Sequence, residues 1–299
     1  MGVQQMFHVK HWQQRLGGLR AAGLAATALI AAGVLSACSA PEEIARKAGV
    51  AATPAAAAQG QKAPAIAPAP AKAEVFADNA EDAENKGRMR EFSYQWPAAV
   101  SAIPALAARL AQERDSALAE QQQNWADLLS EADNEECAAC YSLSFSKEWK
   151  VVADLPRFLS LSAEIYLFTG GAHGNSGFDA LVWDREAQAA LEPEALFLSP
   201  AALQEALGPR WCRALAAERK RRLGADYGDD GFFPCPPIAD LSVLLGSSDG
   251  KAFNRIGLIA APYVAGSYAE GPYEVTLPVT DAVVKAVKPQ YRSAFARGA

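Results

Sequence analysis

Histidine is scarce in this chain, and its scarcity excludes several kinds of site. Only three histidines occur among 299 residues, and two of them, His8 and His11, precede an apolar stretch near the N-terminus. If that segment is removed, His173 alone is left. Zinc sites built from two or three histidines are then excluded, and a Ser-His-Asp triad would have to use His173. The sequence therefore predicts neither a metal site nor a cofactor.

An excess of basic residues is also missing. The chain has 28 Lys and Arg against 34 Asp and Glu, a formal net charge of −6. Nucleic-acid binding needs clustered positive charge to neutralise phosphates, so a nucleic-acid partner is excluded. Loss of the first 37 residues removes three basic residues and leaves 25 against 34, a net charge of −9.

The first 37 residues have the pattern of a secretory signal peptide. Basic residues come first, no acidic residue precedes Glu42, and an apolar stretch runs from Ala21 to Ala37. That stretch is short and alanine-rich for a membrane span, which needs about 20 strongly apolar residues. Its end, Leu-Ser-Ala-Cys, resembles a bacterial lipobox. The resemblance implies that Cys38 is acylated and anchors the chain to a membrane.

The lipobox resemblance also implies a location on the periplasmic side of the cell envelope. Several acyl chains anchor a protein stably, whereas one chain binds only marginally. Because Ser39 follows the cysteine where an aspartate would signal inner-membrane retention, an outer-membrane destination is expected. The alternative is an ordinary signal peptide, 1–37, followed by a chance cysteine.

A disordered tether is predicted over residues 38–88. Of the 29 residues from Ala45 to Ala73, 14 are alanine, with repeated Ala-Pro pairs and little to bury. Such a composition favours a semi-extended spacer. The acidic residues of 78–84 are expected to be its solvated end. The folded part is predicted as 89–299, with halves of about 89–192 and 193–299.

Hydrophobic periodicity in the folded part predicts an α+β fold. Alternation predicts strands near 91–97, 141–152, 157–169 and 177–184, and three-to-four spacing predicts a long helix to about Ala132. A helical segment over 194–223 is expected to break at Gly208-Pro209. Strands near 241–245, 253–261 and 273–277 precede a short C-terminal helix. The expected architecture is a largely antiparallel sheet packed by the long N-terminal helix and the mid-chain helical segment.

Four further cysteines belong to a chain that is predicted to be exported, where disulfides are favoured. A Cys212–Cys235 bridge is preferred, and Cys137 and Cys140 then pair with each other or stay reduced. Catalytic redox by this Cys-x-x-Cys pair is disfavoured, because the neighbouring acidic run raises a thiol pKa. Zinc held by all four is disfavoured, since the second pair lacks close spacing.

Two turn-rich segments carry the candidate binding residues. In TGGAHGN, 169–175, the glycines permit positive φ, and the histidine either fixes a hairpin turn or contacts a ligand. In APYVAGSYAEGPYEV, 261–275, three tyrosines lie five residues apart and either form an exposed rim or pack the sheet. The candidate binding residues are Gly170, Gly171, His173, Asn175, Tyr263, Tyr268 and Tyr273.

These segments, with FDALVWD after the first and ALF before a helix, resemble the paired domains of unknown function 4163 and 3298. The resemblance covers about 92–291. Such domains occur in RsiV-type anti-sigma factors, whose extracytoplasmic part binds lysozyme, and beside peptidoglycan deacetylase domains. It implies an exported, non-catalytic α+β module that works near the cell wall. The cytoplasmic sigma-binding segment and the deacetylase domain of those proteins have no counterpart in this sequence.

The preferred hypothesis is a lipid-anchored binding or sensing module of the envelope, without catalysis of its own, that recognises a lysozyme-like muramidase or a peptidoglycan fragment. The alternative is a cell-wall hydrolase in which His173 acts with Glu164 or Asp179. Catalysis requires His173 to lie within hydrogen-bonding reach of a carboxylate or hydroxyl group. A histidine held by backbone in an exposed turn favours binding.

Overall fold

A computed structural model describes residues 71–84, 87–131, 137–224 and 232–298. The predicted signal peptide, the predicted lipidation site Cys38 and most of the predicted tether lie outside these residues. Within the described ranges, no helix is long and apolar enough to cross a membrane. The α+β class is confirmed, with two sheets that are mostly antiparallel.

The first sheet has seven strands. Its order is β1-β3-β4-β5-β6-β7, and β2 pairs with the start of β3. Only β3 and β4 are parallel, because the chain between them crosses the sheet through helices. The strands are β1 Glu74–Ala77, β2 Ala80–Glu81, β3 Met89–Trp96, β4 Leu143–Asp154, β5 Phe158–Phe168, β6 Asn175–Asp184 and β7 Ala189–Leu191.

Two helices, α1 Ala98–Ser101 and α2 Pro104–Ser130, form the crossover from β3 to β4. Proline is tolerated at the first helical position because its missing N–H has no partner there. Alternate residues of β3 and β4 are buried on the face that α2 covers, and Leu106 and Leu110 of α2 are fully buried. Because side chains alternate along these strands, α2 covers one face of the sheet and does not cover the opposite face.

The second sheet packs with helix α3, Pro200–Leu223, in the C-terminal part of the chain. Its order is β10-β9-β8, all antiparallel, and a short helix α4, Asp281–Ala286, follows. Trp211 of α3 is fully buried, and its indole N–H donates to the carbonyl of Pro236. Phe158 and Val182 of the first sheet belong to the same core. The remaining strands are β8 Ser242–Gly246, β9 Arg255–Ala260 and β10 Tyr273–Pro278.

Order begins earlier than the sequence predicts, because β1 and β2 lie within the predicted tether of 38–88. Phe76 of β1 packs edge-on against Phe92, with ring centroids 6.1 Å apart. The acidic residues of 78–84 are not simply solvated either. Asp78 pairs with the buried Arg90, and Asp82 lies 3.5 Å from the buried Arg88. The carboxylates neutralise cations that the sheet buries, so this segment belongs to the fold.

Helix α3 is continuous, although a break at Gly208-Pro209 is predicted from its sequence. Pro209 lies inside the helix, where it removes one backbone hydrogen bond. The side chains of Leu207 and Trp211, on either side of the expected break, are fully buried in the core. Burial of two large side chains outweighs the local cost of one proline.

Candidate functional site

The hairpin turn between β5 and β6, Thr169–Gly174, is called the His turn. Gly170 and Gly171 have φ of 86° and 98°, in the left-handed region that favours glycine. A Cβ on Gly170 would lie 2.7 Å from the carbonyl oxygen of Cys140. The His turn therefore packs closely against the short 3₁₀ segment that carries the Cys-x-x-Cys pair.

That segment, Cys137–Tyr141, is called the cysteine knuckle, and its two cysteines form a disulfide. Both cysteines are exposed. The indole N–H of Trp125 in α2 donates to the carbonyl of Tyr141 at 3.2 Å, which attaches the knuckle to the helix. The second disulfide, Cys212–Cys235, joins α3 to the chain that precedes β8. The structure thus shows the preferred Cys212–Cys235 bridge and, of the two alternatives left open for Cys137 and Cys140, the disulfide.

His173 is exposed at the tip of the His turn. Its Nδ1–H donates to the carbonyl of Gly174 at 2.8 Å, and Nε2 makes no hydrogen bond with the described residues. Gly174 is buried, and a Cβ there would lie 2.4 Å from the ring of Tyr166. The backbone at this position thus lies directly on the Tyr166 ring, and any side chain here would require that ring to move.

The loop Ala261–Pro272, called the tyrosine link, meets the His turn. The ring of Tyr268 stacks on His173, with centroids 4.0 Å apart and an interplanar angle of 20°. Tyr263 stacks on Tyr268 at 5.7 Å and 30°. Tyr263 also has φ of 71°, an uncommon conformation for a residue with a Cβ. Two segments almost a hundred residues apart in sequence thus form one file of three partly exposed rings.

Tyr273 does not belong to this surface. It is the first residue of β10, and its side chain is buried in the core. Its hydroxyl donates to Glu270, and burial together with that carboxylate raises the pKa of Tyr273 to about 12. The three tyrosines are five residues apart in sequence, but they do not form one rim, because the side chain of Tyr273 is buried in the core.

Arginines of α3 hold the tyrosine link in place. The guanidinium of the buried Arg219 donates to the carbonyls of Ala265, at 2.6 Å, and Phe233, at 2.7 Å. Arg222 donates to the carbonyls of Glu270 and Pro272. A carbonyl that accepts from a guanidinium makes a stronger bond than one that accepts from a neutral donor. The position of Tyr268 is therefore determined by the last turns of α3.

The other predicted binding residues also lie at this end of the first sheet. Gly171 is exposed, and Asn175 begins β6, with its side-chain oxygen accepting from the N–H of Ser176 at 3.0 Å. The structure thus brings together every predicted binding residue except Tyr273.

The carboxylates proposed as catalytic partners of His173 are not at its ring. His173 makes no hydrogen bond or ion pair with any carboxylate of the described residues. Glu164 and Asp179 lie on opposite faces of the sheet, since Glu164 is opposite Phe178 and Asp179 is opposite Ala163. Asp179 pairs with Lys147 on the helix-covered face.

That ion pair is part of a buried network that sequence reasoning missed. Lys147 is 2% exposed and contacts the carboxylates of Glu113 in α2 and Asp179 in β6. The hydroxyl of Tyr94 donates to Glu113 at 2.9 Å and accepts from the indole of Trp149. A signal was present in the sequence, because Lys147 occupies an inward position in the alternation of β4.

The electrostatics of the network follow from its burial. Burial alone would lower the pKa of Lys147, but Asp179 and Glu113 outweigh it and raise that pKa above its ordinary value. Burial and the charge of Glu113 raise the pKa of Tyr94 far above its ordinary value. Glu192 lies near the same charges, and its pKa is raised by desolvation and by Asp179. Lysine and tyrosine thus both hold their protons, which suits a structural role.

One Gly-x-Ser-x-Gly sequence, Gly246–Gly250, also escaped sequence reasoning. It lies in the connection from β8 to β9, not between a strand and a helix, which is the setting of a nucleophile elbow. Asn254 donates to the hydroxyl of Ser248 and accepts from its backbone N–H. The serine therefore stabilises a tight turn. Among the described residues, no group of acidic, histidine or cysteine side chains is arranged to hold a metal ion.

Comparison with known proteins shows a partial family match. The family described as Deacetylase PdaC matches residues 83–176, just under a third of the chain. A DUF3298 family protein from Pseudomonas aeruginosa PAO1 has a similar crystal structure, with 19% identity, a TM-score of 0.47, and coverage of 76% of this chain and 97% of that one. A DUF3298 family member from Bacteroides fragilis NCTC 9343 has 16% identity, a TM-score of 0.42, and coverage of 70% and 91%. No curated protein matches the chain.

Proposed function

We propose that this protein is a cell-envelope module that binds a peptidoglycan-related glycan at the His turn and the tyrosine link, without catalysis of its own. The observation that carries the proposal is the stack of His173, Tyr268 and Tyr263. The rings are partly exposed and hold one another in place, and the ring surfaces and polar edges that the stacking leaves uncovered suit the C–H face and hydroxyl groups of a sugar ring. The partial match to Deacetylase PdaC supports work at the cell wall.

The geometry of His173 supports binding over hydrolysis. Its Nδ1–H is used by the carbonyl of Gly174, and Nε2 has no acid or hydroxyl partner among the described residues. A general base needs an orienting group at one ring nitrogen and a substrate proton at the other. A backbone carbonyl orients the ring here, but it gives the imidazolium no charge partner such as the aspartate of a triad.

The experiment is co-sedimentation of the full-length protein with purified insoluble peptidoglycan. The wild-type protein is expected in the pellet, and Tyr268→Leu is expected to lose most of this binding because it removes the middle ring of the stack. Tyr291→Leu is the matched control, since Tyr291 packs near Phe158 at the other end of β5. Absence of wild-type binding, or equal binding by Tyr268→Leu, contradicts the proposal.

A lysozyme-like protein is the competing ligand. Gel filtration of the full-length protein mixed with a lysozyme separates the two cases. If a stable complex forms while peptidoglycan is not bound, the protein recognises the enzyme and the glycan proposal is wrong.

We also propose that the module is attached to the envelope through acylated Cys38, on the periplasmic side. Metabolic labelling with an alkyne fatty acid is expected to mark the wild-type protein and not Cys38→Ala. Fractionation of the labelled cells distinguishes the outer from the inner membrane. Equal labelling of the two proteins would contradict the anchor.

A further inference from the structure

The face of the first sheet that α2 does not cover has an open region beside the His turn. The register places Ser93, Ser146, Tyr166 and Ser176 in one row across β3 to β6, and Gln95, Glu148, Glu164 and Phe178 in the next. We call the described side chains of these rows the open face. Glu164 and Tyr166 are exposed, and the side chain of Glu148 is 43% exposed.

The open face is polar apart from Phe178, and three of its eight positions are serines. The flanking positions Ser144 and Ser162 add two further hydroxyl groups. Neighbouring strands are about 4.8 Å apart, so hydroxyl, amide and carboxylate groups recur across the open face at that spacing. Tyr166 closes one end of this surface, with Gly174 of the His turn on its ring.

Two carboxylates face each other at the centre. Glu148 and Glu164 are directly opposite on β4 and β5, and like charges in such a pair destabilise a sheet. Lys150 lies 3.0 Å from Glu148. Glu164 makes no hydrogen bond or ion pair with the described residues. The pair is thus only half neutralised, and a second cation placed between the two strands would relieve the repulsion.

We infer that the open face binds an amino-sugar oligosaccharide with free ammonium groups. The ammonium group takes the position between Glu164 and Glu148, the serine hydroxyls and Gln95 bond the sugar hydroxyls, and Tyr166 contacts a ring face. The inference rests on the proposed function, which it narrows from a glycan to a cationic glycan. A bare metal ion fits less well, because the described residues supply no third ligand here.

The experiment measures binding of soluble oligosaccharides to the full-length protein by calorimetry. The probes are a glucosamine tetramer, its fully N-acetylated counterpart and a lysine tetrapeptide. The glucosamine tetramer is expected to bind at least about tenfold more tightly than either of the others, and added salt is expected to weaken it because the contact is a charge pair near water.

Two variants assign the effect to the open face. Glu164→Gln keeps the size and removes the unpaired charge, so it is expected to weaken binding of the glucosamine tetramer by about tenfold. Glu205→Gln makes the same change at an exposed position of α3 and is expected to have no effect. Circular dichroism checks that both variants are folded.

The outcomes separate this inference from the proposed function. If the N-acetylated tetramer binds as tightly as the glucosamine tetramer or more tightly, the protein binds a glycan, but the inference of a cationic sugar is wrong. If the lysine tetrapeptide binds as tightly as the glucosamine tetramer, the open face recognises charge alone, and the inference of a cationic sugar is again wrong. If neither sugar binds and peptidoglycan does not sediment the protein, the proposed function fails with it. If Glu164→Gln binds the glucosamine tetramer as the wild type does, the ammonium group does not bind at the open face, and the inference is wrong.

Discussion

Replacement of Lys147 by methionine is the perturbation whose effect the structure defines most fully. The side chains of Glu113 and Asp179 are 18% and 28% exposed, so both carboxylates lose much of their hydration and rely on the single ammonium between them. Removal of one partner from a buried ionic group costs about 3–5 kcal/mol, because the charge left behind is uncompensated. We expect Lys147→Met to lose stability in that range, a fall in Tm of roughly 10 °C for a domain of this size.

The matched control removes every charge of the network. In the triple variant Lys147→Met, Glu113→Gln and Asp179→Asn, no uncompensated charge is left, and Gln at 113 still accepts from Tyr94. Replacement of a complete buried ion set by neutral groups is often close to neutral in energy. The triple variant is therefore expected within about 1 kcal/mol of the wild type, even though it carries three changes and the single variant one.

Urea unfolding at pH 7, followed by tryptophan fluorescence, measures both free energies. Unfolding measured at alkaline pH tests the sign of the pH dependence that Lys147 contributes to stability. The pKa of Lys147 is raised above its ordinary 10.5, so its stabilisation is complete below that pH and is lost as pH rises through the folded-state value. Wild type therefore loses stability in alkali more steeply than the triple variant. A loss below about 1 kcal/mol in Lys147→Met, or a triple variant as unstable as the single one, refutes the reasoning.

Three smaller predictions concern the candidate site. Gly174→Ala drives a methyl group into the Tyr166 ring and is expected to cost about 1–3 kcal/mol in urea unfolding; no loss would mean that the ring moves freely. Arg219→Met removes the donor to Ala265 and is expected to release the tyrosine link, seen as faster amide exchange there and not in the His turn's strands. The knuckle disulfide has a sequence separation of 3, and its replacement by two serines is expected to cost about 2 kcal/mol of unfolding free energy. The Cys212–Cys235 disulfide has a sequence separation of 23, and the same replacement there is expected to cost about 3.5 kcal/mol. A larger loss at the knuckle than at Cys212–Cys235 would contradict the chain-entropy account.

Local patterns were enough to predict the four long strands of the first sheet, β3 to β6. The alternation of FLSLSAEIYLF predicts 157–169, and the strand is Phe158–Phe168. The same rule misplaced the start of the fold, because β1 and β2 are short and follow a long low-complexity stretch. It also predicted a break in α3, where the burial of Leu207 and Trp211 overrides the local preference of proline.

The candidate site was only half predictable. The glycines of the His turn indicate a hairpin, because their conformational freedom is a local property. The contact between His173 and Tyr268 depends on how the second sheet packs on the first, and no local pattern encodes that distance. The open face likewise needs the register of four strands, since a slip of one residue would turn Glu148 inward and Lys147 outward.

Charged side chains on the two faces of β4 differ in how completely they are paired. Lys147, on the inward face, is neutralised by two carboxylates, whereas on the outward face Lys150 pairs with Glu148 only and Glu164 has no ion-pair partner among the described residues. Glu164→Lys would convert the repulsive pair into an attractive one and is expected to stabilise the sheet by about 0.2–1 kcal/mol. The same change places a cation where we propose that the sugar ammonium binds, so affinity for the glucosamine tetramer is expected to fall below detection. If the variant is more stable and still binds the tetramer as wild type does, the unpaired carboxylate has no part in recognition.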